Sequence, residues 1–459
     1  MRLLRASVLV LLTASAFAQA APDFGAARNE VTQLLAGLVK LDTTNPPGNE
    51  TRAAEYIKQI LAREGIESEI FELEPGRGNV VARLKGTGSK RPLLLMGHLD
   101  TVPVERSKWT EDPWGAAVKD GYLYGRGSSD DKGMTSACLE VFLLLHRLKA
   151  PLARDVIFLA EAGEEASARV GIEFMVDQHW DKIESEFALN EGGGIHRVDN
   201  QVRDVAVGTT EKVPRRMRLV AHGSSGHGSV PRADNPIVHL GAAVARFGSW
   251  QPPMRLNETT RLFFQRLAQV ASPEERQLFT HLDAPATQEK LRLNYPNYFS
   301  MLRTSISPTI IRGGFKNNVI PGDAEATLDI RALPDEDVAA LMAQMRQAIN
   351  DPAIEIVPPE GRGRPATPPT RVDTEMFAAI ERAQQRVFPG AITLPTMGTG
   401  ATDSAQLRAK GVQAYGLGTV ATDDDRRRVH GNDERINLEG LGKFVELIWW
   451  AVTDVATSK

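Results

Sequence analysis

In the first half of the chain, apolar residues come in short unbroken runs set between turn formers. Four segments have this texture: 78–86 (GNVVARLKG), 91–98 (RPLLLMGH), 155–162 (DVIFLAEA) and 186–190 (EFALN). An unbroken apolar run of strand length marks a strand with no solvated face, as in a sheet covered on both sides. Between the runs, apolar residues recur every three to four positions, which predicts helices over 29–64, 133–148 and 170–180. Strand and helix in alternation describe an α/β fold, a layered catalytic domain around a central mixed sheet.

Beyond residue 213 the texture changes. Strands are expected over 215–223, 308–314, 318–334 and 353–358, and helices over 235–247 and 335–349. This β-α-β-β-α-β order fits a small inserted α+β lid of ferredoxin-like type, with its helices on one face of an antiparallel sheet. The Pro- and Gly-rich 357–370 (VPPEGRGRPATPPT) reads as the return linker. The expected organisation is a signal peptide over 1–20, a first catalytic part over 21–212, a lid or dimerisation domain over 213–360, and a second catalytic part over 361–459.

Composition narrows the class. With 459 residues, 42% of them apolar and 24% charged, the chain is neither disordered nor fibrous. Its first twenty residues place Arg2 and Arg5 before an apolar stretch that ends in Ala18-Gln19-Ala20, the pattern of a cleaved secretory leader. Export to the periplasm or the medium is therefore expected. Loss of the leader's two arginines takes the formal charge from −4 to −6, so neither nucleic acid nor an anionic membrane is an expected partner. Cys138 is the single cysteine, which excludes an intrachain disulfide, and its place in a helix-patterned apolar stretch reads as a buried inert thiol.

Candidate chemistry gathers where strands run out, the edge at which open α/β sheets bind ligands. His98 and Asp100 follow one strand in GHLDTVP, Glu164 and Glu165 follow another in EAGEEAS, and Glu191 follows a third in NEGGG; Asp130 and Asp131 precede a helix in GRGSSDDKG, and His430 stands in RVHGNDERI. Each has a plain alternative: a hydrogen-bonded core histidine, a helix cap, a solvated acid pair. Together, so many acids beside one sheet edge would repel each other unless cations neutralise them. Two histidines with three carboxylates is a ligand inventory that zinc accepts, with one carboxylate bridging a metal pair. Adjacent acids such as Glu164 and Glu165 diverge in any regular element, so they serve one centre only if the chain turns there and their tasks differ.

Seven motifs in this order, GHLDTVP, YGRGSSDDKG, GEE, NEGGG, GSSGHGSVP, NNVIPGDAEATLDIR and HGNDERI, span nearly the whole mature chain. The sequence resembles the co-catalytic zinc peptidase family of glutamate carboxypeptidase, aminoacylase, carnosinase and succinyl-diaminopimelate desuccinylase. The resemblance implies His98, Asp130, Glu165, Glu191 and His430 as ligands of two Zn²⁺ per subunit, replaceable by Co²⁺ or Mn²⁺, with Asp130 bridging. It implies Asp100 as the acid that orients His98 and Glu164 as the general base. Asp131 is left to cap the following helix, and Asp199 is a weaker rival of Glu191.

For the lid, the resemblance implies that His227 polarises the scissile carbonyl, often from the partner subunit of a homodimer formed through the lid. It implies Asn318 and Arg331 as holders of a substrate carboxylate, and His222 is a weaker alternative to His227. The backbone amides of Gly398, Gly400 and Thr402 in MGTGATDS form either a carboxylate nest or a structural turn. His146, His179, His196, His239 and His281 have no partner pattern, and DDDRRRV before His430 reads as a solvated turn. The expected activity is hydrolysis of a peptide or amide bond beside a free carboxylate, of carboxypeptidase or dipeptidase type. An N-acyl-amino-acid amidohydrolase of aminoacylase type is the alternative. A non-catalytic binding relative would be expected to lack the base or a ligand, and none is missing.

Overall fold

The computed structural model describes residues 21–358 and 363–458, so the expected leader over 1–20 lies outside the described residues. Ten strands form one mixed sheet, in which Val156–Glu161, Leu93–His98, Phe187–Glu191 and Gln413–Leu417 lie side by side and parallel. The unbroken apolar runs are explained by two covered faces. Leu93 and Leu95 enter a core with the helices Phe24–Val39, Lys132–Arg147, Glu375–Val387 and Leu438–Ala456, whereas Leu94 and Met96 pack on the opposite side against Ile172–Gln178.

Two helices stand where one pattern was read over 29–64: Phe24–Val39 and Thr51–Arg63. The intervening Asn45-Pro46-Pro47-Gly48 cannot continue a helix, because proline lacks the N–H and clashes with the preceding turn. The helix read over 170–180 is likewise shorter, Ile172–Gln178, with a separate turn at Trp180–Ile183.

A second, smaller sheet is antiparallel. Its strands Ser305–Gly313, Asp323–Ala332, Met217–His222 and Ile354–Val357 lie in that order, and the helices Pro236–Ser249 and Val338–Ile349 close one face. Along Asp323–Ala332 every second residue is buried, the period-2 signature of a sheet with one solvated face. Interleaved with this β-α-β-β-α-β unit is a group of helices that the sequence pattern did not suggest: Glu258–Val270, Pro273–Thr280, Pro285–Asn294 and Pro296–Met301. Their starts carry ordinary signals, the Asn257 and Ser272 capping boxes and prolines at the first helical positions. They pack through Phe263 and Leu267 into a cluster with Leu394 and Met397 of the strand Ile392–Gly398 in the large sheet.

Where the chain passes from the large sheet to the small one, Lys212 is fully buried and donates to Ser300 Oγ and Ser305 Oγ at 2.9 and 3.0 Å. Burial, aided by the positive Arg331 and Arg303, pushes its ammonium down to about 7. An unfolded lysine titrates near 10.4, so between these values the unfolded chain binds a proton that the folded chain does not. Stability should therefore rise with pH across that window, by up to about 1.4 kcal/mol per pH unit from this group, and be flat in it below pH 7. Urea unfolding at pH 7.5 and 9.5 should show this rise in the wild type and a smaller one in Lys212→Met.

Candidate metal centre

The parallel strands end at one edge of the large sheet, and their last residues are chemical. His98 closes Leu93–His98, Glu161 closes Val156–Glu161 in register beside it, and Glu191 closes Phe187–Glu191. Asp130 lies in the loop before Lys132–Arg147, and His430 stands at φ +58° in the turn after Asp423–Arg428. More than three hundred positions apart in sequence, His98 and His430 both touch Asp130. Asp130 Oδ1 is 3.1 Å from His98 Nε2, and its Oδ2 is 3.1 Å from His430 Nε2. Glu165 Oε1 is 2.9 Å from the same His430 nitrogen.

Two triads result, His98–Asp130–Glu191 and Asp130–Glu165–His430, and in each the potential ligand atoms lie within 4.8 Å of one another. Their electrostatics fit cations. Burial pushes the Glu191 carboxyl far above the ordinary range, and the negative Asp130 and Glu164 push it further. Burial works against a charged His98, yet the Asp100 and Asp130 carboxylates raise its pKa well above the usual imidazole value. Hydrogen bonds to Asp130 and Glu165 raise His430 to about 10. Without ions, protons held on Glu191 and on the two histidines balance the charge, while the histidines keep Asp130 ionised; a divalent pair would release those protons, as deprotonated donors require. The His98 ring is already oriented for this. Its Nδ1 faces the Asp100 carbonyl at 3.0 Å and the Asp100 carboxylate at 3.4 Å, so when an ion displaces the proton between Nε2 and Asp130, Nδ1 would keep its hydrogen and Nε2 would offer its lone pair.

Asp100 also explains the paired glutamates. Its two oxygens accept the backbone N–H groups of Glu164 and Glu165, each at 3.1 Å, and Asn45 Nδ2 donates to it at 2.7 Å. The chain turns at Gly163, φ +81°, where a Cβ would lie 2.5 Å from Val170 Cγ2 and 2.6 Å from Ser167 O. After that turn the two carboxylates part: Glu165 meets His430, whereas Glu164 meets Arg364 Nη2 at 2.7 Å. Burial first, then the Asp403 charge, pushes Glu164 up to about 8.

Several contributors were not legible in the sequence. Arg364, placed in the return linker by composition, also reaches Asp403 Oδ1 at 3.1 Å. Asp403 meets the Glu161 carboxyl on its other side, and Glu161 Oε2 and Asp403 Oδ2 have no donor among the described residues. Two acceptors make a hydrogen bond only by sharing a proton, which is why burial and Asp403 raise Glu161 well above its usual value. Glu434 is a second such residue. Fully buried, it accepts from the backbone of Gly127, Ser129 and Asp130 at 2.8 to 3.0 Å and from Arg126 Nη1 at 2.6 Å, while Arg126 Nη2 reaches Gly431 O at 2.7 Å. One ion pair thus ties the Asp130 loop to the His430 loop. Arg126→Met strands the Glu434 charge in the interior and should cost about 3–5 kcal/mol in chemical denaturation.

Asp131 does not act as a cap. It stands at the N-cap position of Lys132–Arg147 without a side-chain capping bond, and its Oδ2 accepts instead from the His98 backbone N–H at 3.3 Å. Asp199 is exposed in a hairpin turn and belongs to neither triad. Cys138 is buried and free. His196 is buried, between Asp423 and Arg203, and His239 pairs with Asp351. DDDRRRV is a short helix, Asp423–Arg428, capped by Thr422, rather than a simple turn.

The residues expected to serve as a lid divide. His227 and Asn318 are neighbours, because Gly226–His227 pairs with Val319–Ile320 and the Gly228 N–H donates to Asn318 O at 2.8 Å. The Ser229 backbone N–H donates to His227 Nδ1 at 3.1 Å, which leaves the proton of a neutral ring on Nε2. Arg331 lies at the opposite end of Asp323–Ala332, where it pairs with Pro214 and bonds Asp329 at 3.0 Å. Eight residue steps of strand, roughly 26 Å, separate Arg331 from Asp323, the end that follows the Asn318 turn. His222 is exposed beside Glu355. Gly398, Gly400 and Thr402 line a cavity of about 190 Å³ with Glu191 and Glu211. Both donors of Thr402 are taken by Glu211: the backbone N–H at 3.0 Å and the hydroxyl at 2.7 Å. At Gly400 a Cβ would meet nothing within 4 Å, so that wall is open.

Two histidine–carboxylate triads gathered beside the strand ends of a mixed α/β sheet are the arrangement of a metal-dependent enzyme. Residues 94–450 match the model of peptidase family M20/M25/M40, and the chain belongs to that family. A probable carboxypeptidase S-like protein 2 of Dictyostelium discoideum is 30% identical over 373 residues, which cover 79% of this chain and 71% of that protein. The N-fatty-acyl-amino acid synthase/hydrolase PM20D1 of Xenopus tropicalis is 26% identical over 437 residues, 91% of this chain and 84% of the other. Among solved structures, the M20 family metallo-carboxypeptidase Sso-CP2 of Sulfolobus solfataricus superposes with a TM-score of 0.68 at 20% identity, over 92% of this chain and 98% of that one, a likeness of fold.

Proposed function

We propose that this protein is an exported dinuclear-zinc hydrolase that cleaves a peptide or amide bond beside a free carboxylate, of carboxypeptidase or dipeptidase type. One observation carries the reading: Asp130 turns one oxygen to each histidine, as a carboxylate shared by two ions would. His98 and Glu191 would hold one ion, Glu165 and His430 the other. Bound there, the pair would supply Lewis acidity to the scissile carbonyl and lower the pKa of an attacking water towards about 7.

The remaining work falls to the chain. Glu164, left out of the two triads, takes the proton of the attacking water and returns it to the departing nitrogen. His227, whose Nε2 has no hydrogen-bond partner among the described residues, donates to the carbonyl oxygen as charge develops there. Among the described residues, neither His227 nor Asn318 has a hydrogen bond or ion pair to either triad, and both stand at the end of the lid away from the large sheet. They would serve the site of a partner subunit in a homodimer formed through the lid, while Arg331 and the open wall at Gly400 take the substrate carboxylate in cis. The exposed edge strand Ser305–Gly313, with Ile310 and Ile311, suits such pairing. The leader over residues 1–20 supports export, and among the described residues no helix is long and apolar enough to cross a membrane.

The likeness to an N-fatty-acyl-amino acid synthase/hydrolase favours a second reading, an N-acyl-amino-acid amidohydrolase with the same metals. A panel of dipeptides and N-acyl amino acids, of short and long acyl chain, separates the two. The first reading expects kcat/KM to be higher on dipeptides by about tenfold or more, a transition-state preference of roughly 1.4 kcal/mol; the opposite order selects the second reading.

A further inference from the structure

Glu164 and Glu165 are neighbours beside the same pair of cation sites, so something must keep one of them from coordinating. Asp100 fixes both backbones equally, through matching 3.1 Å bonds, and so cannot discriminate between the side chains. The difference lies beyond the backbone. Arg364 puts one nitrogen on Glu164 Oε1 at 2.7 Å and another on Asp403 Oδ1 at 3.1 Å. Its side chain is mostly buried, and Asp403, which braces it, is entirely so. A planar guanidinium forked between two carboxylates fixes the direction of both. Asp403 is in turn backed by Glu161, the last residue of the strand from which the glutamate turn departs.

We propose that Arg364, braced by Asp403, is a positioning residue that holds the Glu164 carboxylate off the metal ions and aimed at the attacking water. The proposal rests on the reading of Glu164 as the base. It gives adjacent acids opposite fates by geometry: Glu165 has His430 and the cation site before it, Glu164 has the guanidinium. Arg364 touches the base and not the reacting atoms, so its removal should lower turnover without weakening substrate binding. A displacement of the base of order 1 Å is worth up to about a hundredfold in rate.

The test is a double-mutant cycle with Arg364→Met, Arg364→Lys and Asp403→Asn, each alone and combined with Glu164→Gln. The substrate is the best-turned-over member of the dipeptide and N-acyl amino acid panel, and Co²⁺-loaded protein is followed by its visible absorption. We expect Arg364→Met to lower kcat about 10- to 100-fold with KM changed less than about threefold. Arg364→Lys should recover part of the loss, and Arg364→Met should alter the Co²⁺ spectrum as Glu164 reaches an ion. In the Glu164→Gln background, Arg364→Met should cost less than about twofold more, because the group it acts through is gone. A rise in KM at constant kcat, or losses that multiply in the double variant, overturns the proposal by making Arg364 a substrate contact or an independent group. If Arg364→Met does not fold, Arg364→Lys and Asp403→Asn carry the same cycle. Full activity in Glu164→Gln alone would refute the base reading and the proposal with it, a result distinct from either failure of Arg364.

Discussion

Glu164→Gln is expected to lower kcat about 10²–10⁴-fold, the usual worth of a positioned base, while bound metal and thermal stability stay near those of the wild type. The substitution is isosteric, and Arg364 can still donate to the amide oxygen, so the fold has little reason to change. Glu165→Gln should behave differently. Its carboxylate meets His430 and not the guanidinium, so its loss should weaken metal binding along with turnover. Equal behaviour of the two variants in metal titration, one residue apart, would contradict the division of labour that the turn at Gly163 creates.

A larger effect is expected from Asp130→Ala. The carboxylate stands between His98 and His430 and belongs to both triads, so its removal leaves each with a histidine and a glutamate. Metal content measured by plasma emission should fall for both ions together, and turnover should drop below that of Glu164→Gln. Substituting a residue of one triad alone, such as His430→Ala, should release the two ions at different chelator concentrations. Two independent sites would instead lose one ion in Asp130→Ala and keep the other.

The parts of this account that could be read from the chain are those with local signatures. Unbroken apolar runs betrayed strands covered on both faces because Leu93 and Leu95 face one core and Leu94 and Met96 the other. The acids and His98 stood out because each follows such a run or a glycine-rich turn, whereas His430, behind the charged DDDRRRV, stood out only through the motif HGNDERI. What escaped depends on distance in sequence. Arg364 lies in a stretch whose composition says linker, and nothing local tells that it reaches Glu164, two hundred positions earlier. Asn45 and Glu434 are ordinary polar residues in loops until folding sets them against Asp100 and the Asp130 backbone. Asp131 has the residue type and position of a cap, but tertiary contact with the His98 backbone won over the local rule. The helices over 258–301 carried capping boxes and prolines, yet their apolar faces make sense only against Leu394 and Met397, more than ninety positions on.

Anomalous diffraction from crystals of the metal-loaded enzyme, recorded on both sides of the zinc edge, is the most direct measurement. The expected map has two peaks per chain on either side of Asp130, one beside His98 and Glu191, the other beside Glu165 and His430, with Glu164 coordinated to neither. A single peak, or peaks away from Asp130, would show that the two histidines meet for some other reason.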